Sequence, residues 1–256
     1  MVNIDTCLMV HGNHGICYIQ DCFSALKSLP NQSFALCLTD LPYNILTTKV
    51  RNYRNRPVLK REIEEYDNNI PNYPQFCRDF FTEATRIAKM VVFTCGVQNL
   101  ESWLSMYPKT FKIIIWYIRN YNEHGDISTF RAYEPLLCYN VPSRSFSFDC
   151  WDILIHSGNN AKRKYKHPHP KPVELYDKIM EDLAPDSVVD PFIGSGTTAE
   201  SAEKHAYIVK KWRGYEKNPR YVSDIEMRIK DGIEGYDQYC KTPHLQQKLQ
   251  FLVKKK

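Results

Sequence analysis

Ser187-Val-Val-Asp190-Pro-Phe192-Ile-Gly194-Ser-Gly196-Thr197-Thr198-Ala199 carries the strongest structural signal in the chain. A β-branched run ends in an acid, a tight turn carries two glycines, and two threonines open a helix. Gly194 and Gly196 let the backbone turn sharply and come close to a ligand. The amides at the start of the helix favour a carboxylate or a phosphate. About 20 residues further on, Arg213-Gly-Tyr-Glu216 ends a second strand in an acid, placed to accept hydrogen bonds from ribose hydroxyls. A lone Gly-x-Gly also closes ordinary structural turns. Strand, glycine turn, helix, strand and acid in this order point to an adenosine-type ligand.

Only 40 residues follow Glu216, too few to complete a sheet of about five strands. The remaining strands are therefore expected upstream, and the ligand-binding unit comes last. That order argues against a nicotinamide dehydrogenase, which usually opens with such a unit. Short apolar runs suited to buried strands stand at Phe34 to Leu38, Met90 to Phe93, Phe111 to Trp116, Leu136 to Tyr139 and Gly214 to Tyr215. Helical spacing of apolar side chains predicts helices over Phe76 to Ala88, Val173 to Leu183 and Pro219 to Ile233, the last capped by Asn218. Strands alternating with helices mean an α/β fold with a mostly parallel sheet.

Composition sets bounds. In 256 residues, 43% are hydrophobic and 13% aromatic, which excludes a disordered chain. Ten glycines exclude collagen-like and glycine-repeat architectures. Nine cysteines form no Cys-x-x-Cys pair, and the N-terminus lacks a signal peptide's pattern. No apolar run is long enough for a bilayer. A reduced, intracellular protein is expected. Cys150, His156, His167 and His169 match no zinc spacing, so no metal is expected.

The run Phe34-Ala-Leu-Cys-Leu-Thr-Asp40-Leu41-Pro42-Tyr43 is a buried strand ending in an acid, a proline and an aromatic. Pro42 ends the strand, and Tyr43 could simply cap the sheet. The chemistry also suits one task. An exocyclic amine of adenine is a poor nucleophile because its lone pair is delocalised into the ring. A carboxylate (Asp40) and a backbone carbonyl (Leu41 or Pro42) can accept its two N–H bonds and favour a pyramidal nitrogen. Tyr43 can stack on the base once it leaves the helix. Such a transfer works by orientation and charge placement.

Asp40-Leu-Pro-Tyr43 followed by Asp190-Pro-Phe-Ile-Gly-Ser-Gly-Thr-Thr198 resembles the amino-methylating DNA methyltransferases, in the permuted β group where the catalytic tetrapeptide precedes the cofactor loop. Tyr18 to Pro30, His167-Pro-His-Pro-Lys171-Pro172 and Gly214 to Tyr221 are similar to further segments of that group. The resemblance implies a circularly permuted, Rossmann-like methyltransferase fold with helices on both faces of the sheet. It implies S-adenosyl-L-methionine as cofactor and adenine N6 in DNA as target, since cytosine-N4 enzymes more often carry Ser in place of Asp40. Asp40, Leu41, Pro42 and Tyr43 are implied to hold the target amine and base. Asp21 is implied to face the cofactor adenine, Asp190, Phe192, Gly194 and Gly196 to line the cofactor, and Glu216 to hold its ribose. Thr197 and Thr198 are implied to lie near its carboxylate, with Lys171 neutralising it. Leu41, in place of a more frequent Pro, and His169-Pro170, where Thr-Gln is common, depart from the pattern.

Residues 1–256 are expected to form one methyltransferase domain, with 44–72 and 120–166 as insertions that contact DNA. Two basic stretches, Lys49, Arg51, Arg54 and Arg56, and Lys162, Arg163, Lys164 and Lys166, follow strand ends on the ligand side. On a double-stranded DNA substrate with a flipped base they suit phosphate contacts; otherwise they are solvated surface. A homodimer and a cognate restriction endonuclease are compatible partners. Cytosine N4, RNA, a nicotinamide oxidoreductase and a catalytically silent DNA-binding module stay open as alternatives.

Overall fold

A computed structural model describes residues 8–44, 70–118, 133–143, 145–146, 150–153 and 165–241. Lys49, Arg51, Arg54, Arg56, Lys162, Arg163 and Lys164 lie outside the described residues; Lys166 is exposed. The strands are β1 (Met9–His11), β2 (Gly15–Ile19), β3 (Phe34–Asp40), β4 (Ala88–Thr94), β5 (Lys112–Tyr117), β6 (Tyr133–Tyr139), β7 (Cys150–Asp152), β8 (Ser187–Asp190) and β9 (Lys211–Glu216). The helices are α1 (Cys22–Ser28), α2 (Tyr73–Ile87), α3 (Leu100–Met106), α4 (Val173–Leu183), α5 (Thr197–Lys204) and α6 (Val222–Lys241).

The strands form one sheet in the order β1-β2-β9-β8-β3-β4-β6-β5-β7. From β2 to β4 every neighbouring pair is parallel. Side chains alternate between two buried faces, as the unbroken apolar runs demand. Leu36, Leu38, Val92 and Val188 pack under α4, α5 and α6 through Leu175, Ile179, Ala199 and Ile225. Cys37, Val91, Phe93 and Val189 face the other way, with Leu26 of α1, Phe80 of α2 and Trp103 of α3. Helices thus cover both faces. Arg86, near the end of α2, donates to the carbonyls of Leu26 and Leu29 at 2.7 Å each, tying α1 to α2.

The sheet is mostly parallel, as expected, with antiparallel pairs towards its ends. β6 runs antiparallel to both β4 and β5, and β1 is antiparallel to β2. Pro135 stands inside β6 and is tolerated because β6 has β5 alone beside it there: pairing with β4 stops at Thr94↔Leu136. The strands β1 and β7, of three residues each, and α3 carry too little periodicity to be foreseen. The helix expected from Pro219 opens as a 3₁₀ turn over Pro219–Tyr221, and α6 proper begins at Val222. Asn218 does cap that turn, its Oδ1 accepting from Arg220 N at 3.0 Å.

One feature of the strand order positions the site. β3 and β8 are neighbours, yet the chain leaves β3 towards β4 and leaves β8 towards β9, in opposite directions along the sheet. That is the switch point where open α/β sheets leave a crevice at the carboxyl ends of their strands. Asp40 ends β3 and Asp190 ends β8.

Candidate active site

Asp40 is fixed by strand pairing before any ligand arrives. It sits opposite Thr94 across the β3–β4 ladder, and the Thr94 hydroxyl donates to its Oδ1. Leu41 keeps the extended course, its N–H reaching Thr94 O at 3.3 Å, and its side chain is buried in the core rather than in the site. The next two carbonyls are pinned from the other side. Tyr73 OH donates to Pro42 O at 2.7 Å, and Asn99 Nδ2 donates to Tyr43 O at 2.6 Å. The Tyr43 hydroxyl lies 2.9 Å from Asp40 Oδ1 and 2.8 Å from Glu134 Oε2. Burial, then the charges of Asp40 and Glu134, push the Tyr43 phenol well above its ordinary value, so it stays a donor.

Lys171 completes this cluster. Its ammonium donates to Asp40 Oδ2 at 2.8 Å and to Tyr43 OH at 3.1 Å, and lies 3.4 Å from Glu134 Oε2. Its carbonyl is held by Arg228 Nη2 at 3.0 Å and by the Thr197 hydroxyl at 3.3 Å. Lys171 thus lies beside two carboxylates near the strand ends, Asp40 and Glu134, and also lines the cleft described below.

The glycine loop is built around two acids, Asp190 buried and Glu216 half-buried. Asp190 accepts from the hydroxyls of Thr39 and Thr198 and from Phe192 N at 2.9 Å. Burial raises its carboxyl to about 6 despite these bonds. Thr198 is buried and spends its hydroxyl on Asp190, so its side chain serves the loop rather than a ligand. Gly194 and Gly196 have φ of 53° and 93°, the left-handed region that side chains avoid. A Cβ on Gly194 would stand 3.0 Å from His167 Nε2, and one on Gly196 3.0 Å from Ile225 Cα. The turn sends Gly194 N–H to Glu216 Oε2 at 3.0 Å, while Asn218 N–H donates to Oε1 at 2.8 Å. Burial outweighs these two bonds and raises Glu216 to about 7. His167 is buried too, and burial lowers its imidazole to about 3. Its Nδ1 accepts from His169 N–H at 3.2 Å.

Between these groups lies a cleft of about 340 Å³, lined among others by Asp21, Asp40, Pro42, Phe192, Thr197 and Glu216. Ile19 of β2 is in register with Glu216 of β9, so the cleft crosses the ends of β2, β9, β8 and β3. Asp21 caps α1, its Oδ1 accepting from Phe23 N at 3.0 Å. Phe192 packs with Phe23, Phe76 and Phe80, an aromatic wall. The sequence did not single out Thr94, Tyr73, Asn99 or Glu134. Glu134 left a trace, as an acid inside an otherwise apolar strand; the other three act through pairings distant in sequence.

Residues 34–227 match the family of DNA methylases described as N6/N4 methyltransferases. The chain belongs to this family. It is 25% identical over 249 residues to the type II methyltransferase M.HinfI of Haemophilus influenzae, which takes in 82% of this chain and 67% of that protein. It is 26% identical over 251 residues to the type II methyltransferase M.HpaI of Haemophilus parainfluenzae, covering 83% and 73%. Among solved structures it resembles the cytosine-N4-specific PvuII DNA methyltransferase, with a TM-score of 0.62, 19% identity and coverage of 89% and 93%. The complex of M1.HpyAVI with S-adenosyl-L-methionine gives a TM-score of 0.53, 18% identity and coverage of 83% and 98%. As an N6/N4 DNA methylase the chain acts on DNA and takes its methyl group from S-adenosyl-L-methionine. No helix among the described residues is long and apolar enough to cross a membrane.

Proposed function

We propose that this N6/N4 DNA methylase methylates the exocyclic N6 of adenine in double-stranded DNA, with the target base flipped out of the helix. One observation carries the reading: the Asp40 carboxylate and Pro42, its carbonyl held by Tyr73, line one cleft with Phe192 and Glu216. The fold alone is shared with a cytosine-N4-specific enzyme and does not choose the base. The acid at position 40 supports adenine.

The cleft's residues fit the cofactor. Glu216 is a half-buried carboxylate at a strand end and suits ribose hydroxyls; Phe192 and Asp21 suit the adenine; the left-handed glycines admit a close approach. Bound S-adenosyl-L-methionine supplies a methyl carbon made electrophilic by its sulfonium. Asp40 and the Pro42 carbonyl accept the N–H bonds of the target amine and turn its lone pair towards that carbon. Transfer of that methyl to the amine would leave the electrons of the broken C–S bond on sulfur, and the proton shed by the methylated nitrogen would pass to solvent water. Tyr43 offers stacking surface to the extruded base. The family profile spans most of the chain, which supports one methyltransferase domain over 1–256, with 44–72 and 120–166 as its DNA-contact insertions. The type II relatives support a role beside a restriction endonuclease.

Nucleoside analysis of DNA treated with the enzyme and S-adenosyl-L-methionine tests the base. N6-methyldeoxyadenosine is expected, and N4-methyldeoxycytidine in its place overturns the assignment. Replacing Arg51, Arg54 and Arg56 with Ala tests the phosphate contacts. The slope of log affinity against log salt should fall by about 2 to 3; an unchanged slope removes this stretch from the interface.

A further inference from the structure

We infer that Glu134 is a positioning residue for methyl transfer, the acceptor to which the Tyr43 hydroxyl turns when the target amine takes its place on Asp40. The inference rests on the adenine-amine reading of Asp40. Its basis is a count of donors against acceptors. The Asp40 carboxylate already receives the Thr94 hydroxyl, the Tyr43 hydroxyl and the Lys171 ammonium. A carboxylate offers about four lone-pair sites, two on each oxygen, so Thr94 and Tyr43 together fill Oδ1 while Lys171 leaves one place on Oδ2. An amine that bonds Oδ1 beside Thr94 therefore needs the Tyr43 hydrogen to leave.

Glu134 is built to receive it. It projects from β6 two residues beyond Leu136, the partner of Thr94, so it reaches past the end of β4 towards Asp40. Its Oε2 is 2.8 Å from Tyr43 OH, and Asp40 Oδ1 is 2.9 Å from the same oxygen. One hydroxyl hydrogen can serve only one of two such acceptors, so handing it over needs a rotation of the O–H bond and no movement of the ring. Lys171, with three N–H donors, is already 3.4 Å from Oε2. Without Glu134 these partly buried donors would compete with the substrate or lose their partners, and losing a partner in a buried site is costly.

Glu134→Leu removes the acceptor, and Glu134→Gln keeps the shape and an uncharged one. The expected result is a fall in kcat of at least about tenfold for Glu134→Leu and a smaller fall for Glu134→Gln, with affinity for S-adenosyl-L-methionine within about twofold of the parent. In a Tyr43→Phe background one competing donor is gone, so Glu134→Leu should cost less there than in the parent. The inference is overturned if kcat stays within about twofold in both variants, or if the Glu134→Leu loss is equally large with Phe at position 43. Should Glu134→Leu not fold, the loss in Glu134→Gln with and without Tyr43→Phe decides in the same way. Asp40→Asn measured alongside separates the two readings: if it leaves activity intact the amine site itself is wrong, and if only the Glu134 variants are silent, Glu134 alone is.

Discussion

Asp40→Asn is expected to lower kcat for methyl transfer by about a hundred- to thousandfold, the scale lost when one placed electrostatic group is removed from a reacting centre. Affinity for S-adenosyl-L-methionine should hardly change. The reason lies in what the carboxylate touches. Both of its oxygens accept from neighbouring donors, Thr94 and Tyr43 on one and Lys171 on the other. The amide keeps the size but offers one acceptor oxygen, and its NH₂ faces donors instead of accepting from them. The negative charge that stabilises a nitrogen turning cationic in the transition state is lost as well. The residues proposed for the cofactor, Phe192, the glycine loop and Glu216, line the cleft further along the sheet, so a drop in kcat at constant cofactor affinity marks an interaction made mainly in the transition state. Asp40→Ala extends the test by removing both acceptors. Single-turnover methylation within about tenfold of the parent in both variants would sink the role assigned to Asp40.

The parts of the site that were legible in the sequence are those written in consecutive residues. The glycine loop could be read because one short segment carries a strand, a turn needing left-handed backbone, and a helix start; the structure supplies φ of 53° and 93° at its two glycines. The strand ending at Asp40 could be read because burial on both faces requires an unbroken apolar run. What stayed hidden depends on pairings between distant segments. Thr94 matters because it lies opposite Asp40, and the β3–β4 register is not written in either strand alone. Asn99 and Tyr73 hold consecutive carbonyls from two different helical segments. Lys171 was found, but its ion pairs with Asp40 and Glu134 were not, because those two acids come together only when β6 folds antiparallel beside β4. The antiparallel end of the sheet was missed for the same reason, since an apolar run carries no direction.

Glu216→Gln should weaken binding of S-adenosyl-L-methionine by about ten- to a hundredfold at pH 8, the size of charged hydrogen bonds in a buried site, and should abolish its pH dependence. Burial raises Glu216 to about 7, above its ordinary 4.5. The sign follows from linkage. A raised carboxyl favours the folded state most fully below pH 4.5, and that contribution is lost as pH rises through about 7. Ribose hydroxyls donate to the ionised form, so cofactor binding lowers this value and expels a proton wherever Glu216 is still protonated. Affinity should therefore rise with pH by up to about tenfold per unit below 7 and level off above it. The cofactor should raise the unfolding temperature more at pH 8 than at pH 6. Asp190, at about 6, titrates in an overlapping window, but its oxygens are taken by Thr39, Thr198 and Phe192. His167, at about 3, stays neutral throughout. Calorimetric titration of the parent and Glu216→Gln from pH 5.5 to 8.5 separates the groups. A slope that survives in Glu216→Gln belongs to Asp190 and removes the ribose role from Glu216, whereas a flat profile in that variant leaves Glu216 as the group whose ionisation binding requires.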